Sequence, residues 1–410
     1  MKHHLHACIF MVAMATASTA APGGFNYNEA KVPELDLPDP LKGVPDAKSW
    51  PARRAEIFTM LEDQMFGKAP AFDKKSMKVT RKIPDRVFLN DTAILSQPVL
   101  HLAGCKVQLM VVRPVNASEA VPAFLAYNFR GNHTVHKDPA IALTGEWVPR
   151  TKDNKASEDQ RGQSAQRWDI QGIIKSGYAL VTVYCGDVDP DFHDHFKNGV
   201  HADYGKPDPG QWGTIAAWAW GLSRVLDHLE DEPAIDAKRV AVMGHSRLGK
   251  TSLWAGASDT RFALVISNNS GCGGAALSKR RFGETIHRIN SSFPHWFCDN
   301  FKKYNNKEDQ LPFDQHMLLA LVAPRPLYVA SAEADRWADP HGEFLAAKGA
   351  DPVYRILGTE GLPTDNMPAV DKPVHGRIAY HIRSGKHDVT SYDWKQYLAF
   401  ADKHLKKQGR

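Results

Sequence analysis

The segment GHSRLGK, residues 244–250, places a serine where a strand would turn into a helix. An apolar run at 239–243 precedes it, and a helix-compatible run at 251–257 follows it. A sharp turn of this kind exposes the serine hydroxyl above a sheet and aims the free N–H groups of the helix at a carbonyl oxygen under attack. Leu248 replaces the second glycine of the usual Gly-x-Ser-x-Gly pattern, and a glycine follows one residue later. We predict that Ser246 is the nucleophile of an acyl transfer.

A serine nucleophile needs a base, and a histidine base needs an acid that fixes its tautomer. The loop SGKHD carries His387 after one strand-like run, and the segment SAEADRW carries Glu333 and Asp335 after another. The order serine, acid, histidine along the chain is that of α/β-hydrolases. These residues predict that His387 is the base for Ser246, while position alone leaves Glu333 and Asp335 both open as the acid.

Two cations follow the serine directly, Arg247 and Lys250. Positive charge at a helix N-terminus opposes the helix dipole, so a purely solvated role would carry a cost without a benefit. We expect both side chains to face an oxygen-rich substrate or the anion that develops in the transition state. A site that also contains Glu284 and Trp337 would suit a sugar, because charges meet its hydroxyls and an aromatic face meets its C–H surface.

A short histidine-rich segment offers a different chemistry. It contains His193, Asp194, His195, His201 and Asp203. Their spacing matches no standard metal site. We therefore expect no metal at this segment.

The elements that would position these residues alternate along the chain. Helical spacing is present at 53–66, 212–229 and 251–257, and strand-like runs lie at 93–102, 107–112, 121–127, 178–184, 239–243, 263–266, 326–330 and 378–382. Alternating strands and helices imply right-handed crossovers and a largely parallel sheet. The sequence therefore predicts an α/β fold in one catalytic domain.

The N-terminal segment has another composition. Positive residues, an apolar run and small residues follow one another within residues 1–20, which is the pattern of a secretory signal peptide. Residues 21–51 are rich in proline, aspartate and glycine and predict an extended arm, so the mature single domain would span residues 21–410. We expect a secreted or periplasmic protein without membrane anchoring, because no later apolar run has the length of a membrane span.

Charge and cysteines limit the partners and cross-links. The net charge of +5 is spread without a basic block, which argues against nucleic acid as a partner. Four cysteines follow the predicted signal peptide, too few for a disulfide scaffold in so long a chain. Proximity makes Cys272–Cys298 the favoured bridge, with free buried thiols as the alternative. The chain is expected to act as a monomer.

From about residue 93 onwards, the chain resembles the glucuronoyl esterases of carbohydrate esterase family 15, especially the bacterial branch. The motifs that carry the resemblance are GHSRLGK at 244–250, SGCGGAA at 270–276, RFGET at 281–285, APRP at 323–326, WADP at 337–340 and the loop around His387. The resemblance implies an α/β-hydrolase fold, a three-layer αβα sandwich with a mostly parallel central sheet. It also implies hydrolysis, without a cofactor, of esters between lignin alcohols and 4-O-methyl-glucuronic acid on glucuronoxylan.

The resemblance also assigns roles to residues. It implies that Ser246 is the nucleophile and His387 the base, and that Arg247 stabilises the oxyanion. It further implies that Lys250 and Glu284 bind hydroxyls of the sugar ring, which Trp337 would border.

The acid departs from the pattern of many family members. Those members carry a glutamate just ahead of the Ser-Gly-x-Gly-Gly stretch, whereas this chain has Asn268 and Asn269 there. Some bacterial members have an acid after the later strand, and Asp335 matches it. The resemblance thus favours Asp335, with Glu333 as second choice.

Two alternatives stay open at this stage. One is another carbohydrate esterase, which would remove acetyl or feruloyl groups from xylan. The other is a non-catalytic homologue that binds polysaccharide. The sequence decides neither the preferred alcohol nor the choice between glucuronate and galacturonate.

Overall fold

A twelve-stranded mixed sheet carries helices on both of its faces. The computed structural model describes residues 24–102, 104–204, 208 and 210–407, and the predicted signal peptide lies outside them. The strands are β1 (Lys78–Thr80), β2 (Arg86–Phe88), β3 (Ala93–Ser96), β4 (Val99–Leu102), β5 (Cys105–Pro114), β6 (Val121–Asn128), β7 (Ala179–Tyr184), β8 (Ile235–His245), β9 (Leu264–Asn268), β10 (Leu327–Ala332), β11 (Val374–His375) and β12 (Ile378–Arg383).

The helices lie mostly between the parallel strands. They are α1 (Trp50–Leu61), α2 (Ile170–Lys175), α3 (His201–Tyr204), α4 (Thr214–Leu229), α5 (Arg247–Ser258), α6 (Ile286–Ser292), α7 (Gln315–Ala320), α8 (Pro340–Ile356) and α9 (Ser391–Leu405). None of the helices in the described ranges combines the length and the apolar character that crossing a membrane requires.

Six neighbouring strands form the parallel centre of the sheet, in the order β7-β6-β8-β9-β10-β12. The outer strands pair antiparallel, with β5 next to β7 and β11 next to β12. This arrangement confirms the predicted α/β class. Because parallel strands end at the same edge, the loops after β8, β10 and β12 meet there, and these loops carry Ser246, Asp335 and His387.

Two apolar layers hold the helices to the sheet. Along β6, Leu125 points into the layer shared with α4, α5, α7 and α8, while Phe124 points into the layer shared with α2 and α9. Trp218 on α4 and Trp394 on α9 are almost fully buried in these two layers. Full burial of one large apolar side chain contributes about 1.5–3 kcal/mol, so the two layers fix the sheet and its loops.

Some boundaries differ from the sequence-based prediction. The helix expected over 53–66 is α1 followed by a π-helical turn, Glu62–Phe66. The expected strand over 93–102 is divided into β3 and β4, which pair with opposite ends of β5. The sequence missed β1, β2 and β11, because short edge strands carry little apolar alternation.

Glu343 ties α8 to the sheet from a position with no exposed surface. Its Oε1 accepts the N–H groups of Ser270 at 2.8 Å and Gly271 at 2.9 Å, and its Oε2 accepts the hydroxyl of Ser331 at 2.6 Å. Burial raises the pKa of Glu343 to about 8, although these hydrogen bonds oppose the change. The carboxyl thus fixes the loop after β9 against the end of β10.

Glu343→Gln should change how stability depends on pH. The pKa of Glu343 is raised from 4.5 to about 8 on folding, so the folded protein binds this proton more tightly, and the free energy of unfolding falls as pH rises through that window. A tenfold difference in proton affinity corresponds to about 1.4 kcal/mol. Glutamine does not titrate; its Oε1 can accept the same two N–H groups, and its Nε2 can donate to Oγ of Ser331. The free energy of unfolding, measured with urea, should therefore fall less between pH 5 and pH 8 in the variant than in the wild type. An equal fall in both would contradict the raised pKa of Glu343.

Candidate active site

Ser246 lies on a strained turn between β8 and α5, with φ 59° and ψ −129°. A residue with a side chain rarely adopts this backbone conformation. The turn is tight because a Cβ at Gly244 would lie 1.8 Å from the carbonyl oxygen of Leu248. At Gly249, a Cβ would lie 3.0 Å from the Cβ of Ser270. The late glycine of the motif therefore supplies the close packing, and Leu248 is buried in the core.

His387 and Asp335 meet at the edge of the sheet. Nδ1 of His387 lies 2.6 Å from Oδ2 of Asp335. With Nδ1 as the donor, Nε2 is left as the acceptor of the neutral ring. Asp335 is buried, whereas the side chain of Glu333 is exposed and forms no hydrogen bond with His387 in the described part of the chain. Ser246 and His387 line the same cleft.

Asn269 binds Asp335 and was not assigned a role from the sequence. It follows β9, and its Nδ2 donates to Oδ2 of Asp335 at 2.9 Å. The position directly before the SGCGGAA stretch is the one signal that could have identified it. An amide therefore stands where many family members have a carboxylate, and it orients the carboxylate of Asp335 on the neighbouring strand.

Arg247 is fixed beside Ser246 by an acid that is only partly exposed. Its Nε lies 2.7 Å from Oδ2 of Asp191, and its guanidinium carbon lies 4.9 Å from the ring centroid of Phe129. Asp191 also accepts from Nε2 of His295 at 3.1 Å and Nε1 of Trp296 at 2.8 Å. Burial raises the pKa of Asp191, but these partners outweigh burial and hold it below its usual value. Arg247 is thus an oriented cation, and the sequence did not identify its partners.

Lys250, Glu284 and Trp337 form one cluster, which we call the sugar wall after the role that the resemblance implies for it. Lys250 is 4% exposed; its Nζ donates to the carbonyl oxygen of Ser270 and lies 4.0 Å from Oε2 of Glu284. Burial raises the pKa of Glu284, against the opposing charge of Lys250 and a hydrogen bond from Trp337. The three side chains come from separate segments: Lys250 lies on α5, one helical turn from Ser246, and Glu284 contacts both Lys250 and Trp337.

The N-terminal arm packs against the segments that carry Trp337 and Glu284. Phe25 packs edge-on against Trp337 with ring centroids 4.9 Å apart. The carbonyl oxygen of Asn26 accepts the N–H of Gly283 at 2.8 Å. Glu29 pairs with Arg280 at 2.8 Å. Sequence composition predicted an extended arm, and it gave no sign of these contacts.

A separate cleft of about 640 Å³ opens beside Ser246 and His387. Its lining combines aromatic and cationic side chains, among them Phe129, Arg130, Trp147, Arg150, Arg167 and Phe293. None of the three residues of the sugar wall is among its lining residues. The cleft beside Ser246 and His387 is therefore built from different residues than the sugar wall.

A buried arginine organises the loop that carries His387. The guanidinium of Arg383 donates to the carbonyl oxygens of Ser384 at 3.0 Å, Lys386 at 3.0 Å and Asp388 at 2.6 Å. Its Nε donates to Oδ2 of Asp393 at 2.8 Å. These carbonyl groups flank His387 on both sides, so Arg383 fixes the loop that presents the imidazole.

Asp393 connects the same network to the serine. Its Oδ1 accepts from Nδ2 of Asn268 at 3.2 Å, and Oδ1 of Asn268 lies 2.6 Å from Nδ1 of His245. His245 directly precedes Ser246, and its ring centroid is 4.5 Å from that of His387. Burial lowers the pKa of His245 well below its usual value. A neutral His245 can therefore lie next to a positively charged His387 without repelling it.

The structure corrects the expectation about the cysteines. Of the two possibilities for Cys272 and Cys298, the bridge is wrong, because both thiols are free and buried. Sγ of Cys298 instead contacts the carbonyl oxygen of Asp63 at 3.8 Å. Free buried thiols, the alternative that the sequence left open, describe both residues.

The histidine-rich segment is occupied by contacts within the protein. Nδ1 of His201 lies 2.9 Å from Oδ1 of Asp189. In the part of the chain that the structure describes, no three His, Cys, Asp or Glu side chains converge as a metal ion would need. His201 is therefore a buried residue that is satisfied by its own neighbours.

Comparisons with known proteins give a consistent result. A family model described as fungal glucuronyl esterase matches residues 171–358. A carbohydrate esterase from an unknown prokaryotic organism is 51% identical over an alignment that covers 97% of this chain and 98% of that protein. A 4-O-methyl-glucuronoyl methylesterase from Wolfiporia cocos is 39% identical over 363 residues, with 84% and 76% covered.

A solved structure extends the similarity to three dimensions. It is that of a promiscuous esterase of carbohydrate esterase family 15 from a marine bacterial metagenome. The two chains superpose with a TM-score of 0.86 at 53% identity, over 93% of this chain and 100% of the other.

Arg383→Lys should slow the reaction of Ser246 with a serine-directed organophosphonate by about 10- to 100-fold. A lysine ammonium cannot span a carboxylate and three carbonyl groups, so the loop around His387 loses its fixed position. Arg239→Lys is the matched control. Arg239 also binds a carboxylate and two carbonyl groups, but it lies on β8 and, within the described residues, has no hydrogen bond to the loop around His387. Labelling of the Arg383 variant at the wild-type rate would contradict this role.

Proposed function

Because the chain belongs to the glucuronoyl esterases of carbohydrate esterase family 15, we propose that it is a serine hydrolase that cleaves esters of 4-O-methyl-glucuronic acid. The observation that carries the mechanism is the 2.6 Å contact between His387 and Asp335 beside Ser246 on its strained turn. The substrates are the esters that join lignin alcohols to glucuronoxylan. The predicted signal peptide supports action outside the cytoplasm, where such polymers are found.

The reaction proceeds by two acyl transfers. Nε2 of His387 takes the hydroxyl proton of Ser246 as Oγ attacks the carboxyl carbon of the uronate. The imidazolium, stabilised by Asp335, returns the proton to the departing alcohol, and an acyl-enzyme remains. His387 then activates a water molecule, which releases the uronic acid and restores the serine.

Arg247 stabilises the negative charge on the tetrahedral intermediate. Its guanidinium is held by Asp191 and stacked on Phe129 before substrate arrives. A preoriented cation needs no reorganisation when charge develops, which is the basis of oxyanion stabilisation. Its backbone N–H, at the first turn of α5, adds a second donor.

The sugar wall selects the acyl half of the ester. The ammonium of Lys250 donates to ring hydroxyls, and Glu284 accepts from them. The face of Trp337 covers the C–H surface of the ring. Charged hydrogen-bond partners that are nearly buried discriminate strongly, because a substrate lacking the matching hydroxyl leaves them unpaired.

Hydrolysis of benzyl glucuronate by single variants tests the catalytic roles. Ser246→Ala should lower kcat by about 10⁴-fold or more, and Asp335→Ala by about 10²- to 10⁴-fold. Glu333→Ala is the control and should stay within about twofold, because its side chain is exposed. If the Glu333 variant lost activity and the Asp335 variant kept it, Glu333 and not Asp335 would be the acid that orients His387. Wild-type turnover of acetylated xylan but of no uronate ester would refute the proposed function.

Phe25→Ala should raise KM for benzyl glucuronate several-fold and change kcat less. Phe25 contacts Trp337 and none of the groups that exchange protons. Phe72→Ala is the matched control, because Phe72 packs edge-on against Trp220 at 5.3 Å, outside the site. Unchanged steady-state constants for the Phe25 variant would show that the arm does not shape the sugar wall.

A further inference from the structure

The cleft beside Ser246 carries an excess of positive charge. Arg130, Arg150, Arg167 and Arg247 line it, and the carboxylate among its described lining residues is that of Asp191. A cleft lined by one sign of charge raises the local concentration of oppositely charged ligands. The charge of this cleft is therefore a recognition property that the hydrolysis of a neutral ester does not require.

Two of these four arginines form no ion pair within the described chain. Arg247 pairs with Asp191 at 2.7 Å, and Arg167 pairs with Asp388 at 2.5 Å. In the described chain, no carboxylate oxygen comes within ion-pair distance of Arg130 or Arg150. Since guanidinium groups bind carboxylates through two parallel hydrogen bonds, this pair has unused capacity for an anion.

The same cleft offers aromatic surfaces. Phe129, Trp147 and Phe293 line it together with Arg130 and Arg150. Aromatic rings bind another ring by stacked or edge-to-face contact. The combination fits an aryl group that bears a negative charge, and it fits a neutral alkyl chain poorly.

The position of the cleft relative to Ser246 and the sugar wall indicates which half of the substrate it binds. The sugar wall takes the uronoyl half, and none of its residues lines the cleft. Ser246 and His387 do line it, so a group bound there is next to the bond that breaks. The alcohol half of the ester is the part that lies there.

We propose that this cleft is a subsite for the alcohol half and that Arg130 and Arg150 make it selective for aryl alcohols that carry a carboxylate. The proposal rests on the proposed function, since it takes uronate esters as the substrate. It adds a charge preference on the leaving-group side that the reaction itself does not need.

Three esters of glucuronic acid separate charge from size: benzyl, 4-carboxybenzyl and 4-(methoxycarbonyl)benzyl. The last has the bulk of the second without its charge. At low ionic strength, kcat/KM for the carboxylate ester should exceed that for the methoxycarbonyl ester by about fivefold or more. The ratio should fall towards one in about 0.5 M salt, because salt screens charges at a solvent-accessible site.

The variant Arg130→Gln/Arg150→Gln should abolish the preference, because kcat/KM for the carboxylate ester should fall by a larger factor than kcat/KM for the neutral benzyl ester. Arg86→Gln, at an exposed position on the edge strand β2, is the control and should retain the preference. A wild-type ratio of one or less, or a ratio that the double variant keeps, would overturn the subsite. Turnover of the benzyl ester reports separately on the proposed function, so the two failures are distinguishable.

Discussion

The buried ion pair between Arg383 and Asp393 is the interaction on which the geometry of the site depends. Both side chains are nearly inaccessible, and the donors of the guanidinium meet one carboxylate and three carbonyl groups. Losing one partner of such a pair leaves an uncompensated buried charge, at a cost of about 3–5 kcal/mol. Through Asn268 and His245 the pair reaches the serine turn, and through the backbone it fixes the loop of His387. One ion pair therefore holds the serine turn and the loop of His387 in fixed positions.

The two cations that follow the serine are also held by carboxylates from elsewhere in the chain. Arg247 and Lys250 lie in the first turn of α5, where the helix dipole disfavours cations. Each is compensated by an acid from a distant segment, Asp191 for Arg247 and Glu284 for Lys250. The arrangement holds positive charge where an oxyanion and sugar hydroxyls are expected, and it leaves neither cation free to relax towards solvent.

The position of the acid follows from the order of the strands. β9, β10 and β12 are parallel neighbours, so the residues that follow β9 and β10 both end beside the loop of His387. An acid can reach the imidazole from either strand. In this chain Asp335 after β10 contacts His387, and Asn269 after β9 contacts Asp335. The two positions are joined by a hydrogen bond even though only one of them carries a charge.

The sequence by itself determined the α/β class, the central strands within a few residues, and the segments that carry Ser246, Asp335 and His387, because local periodicity and turn chemistry are written in neighbouring residues. Tertiary structure shows that Asp335 and not Glu333 contacts His387, since the two differ in burial rather than in local pattern. It also decided the contacts of Asp191, Glu343, Arg383 and the N-terminal arm. These contacts join residues far apart in the chain, and a single sequence contains no record of which distant segments pack together.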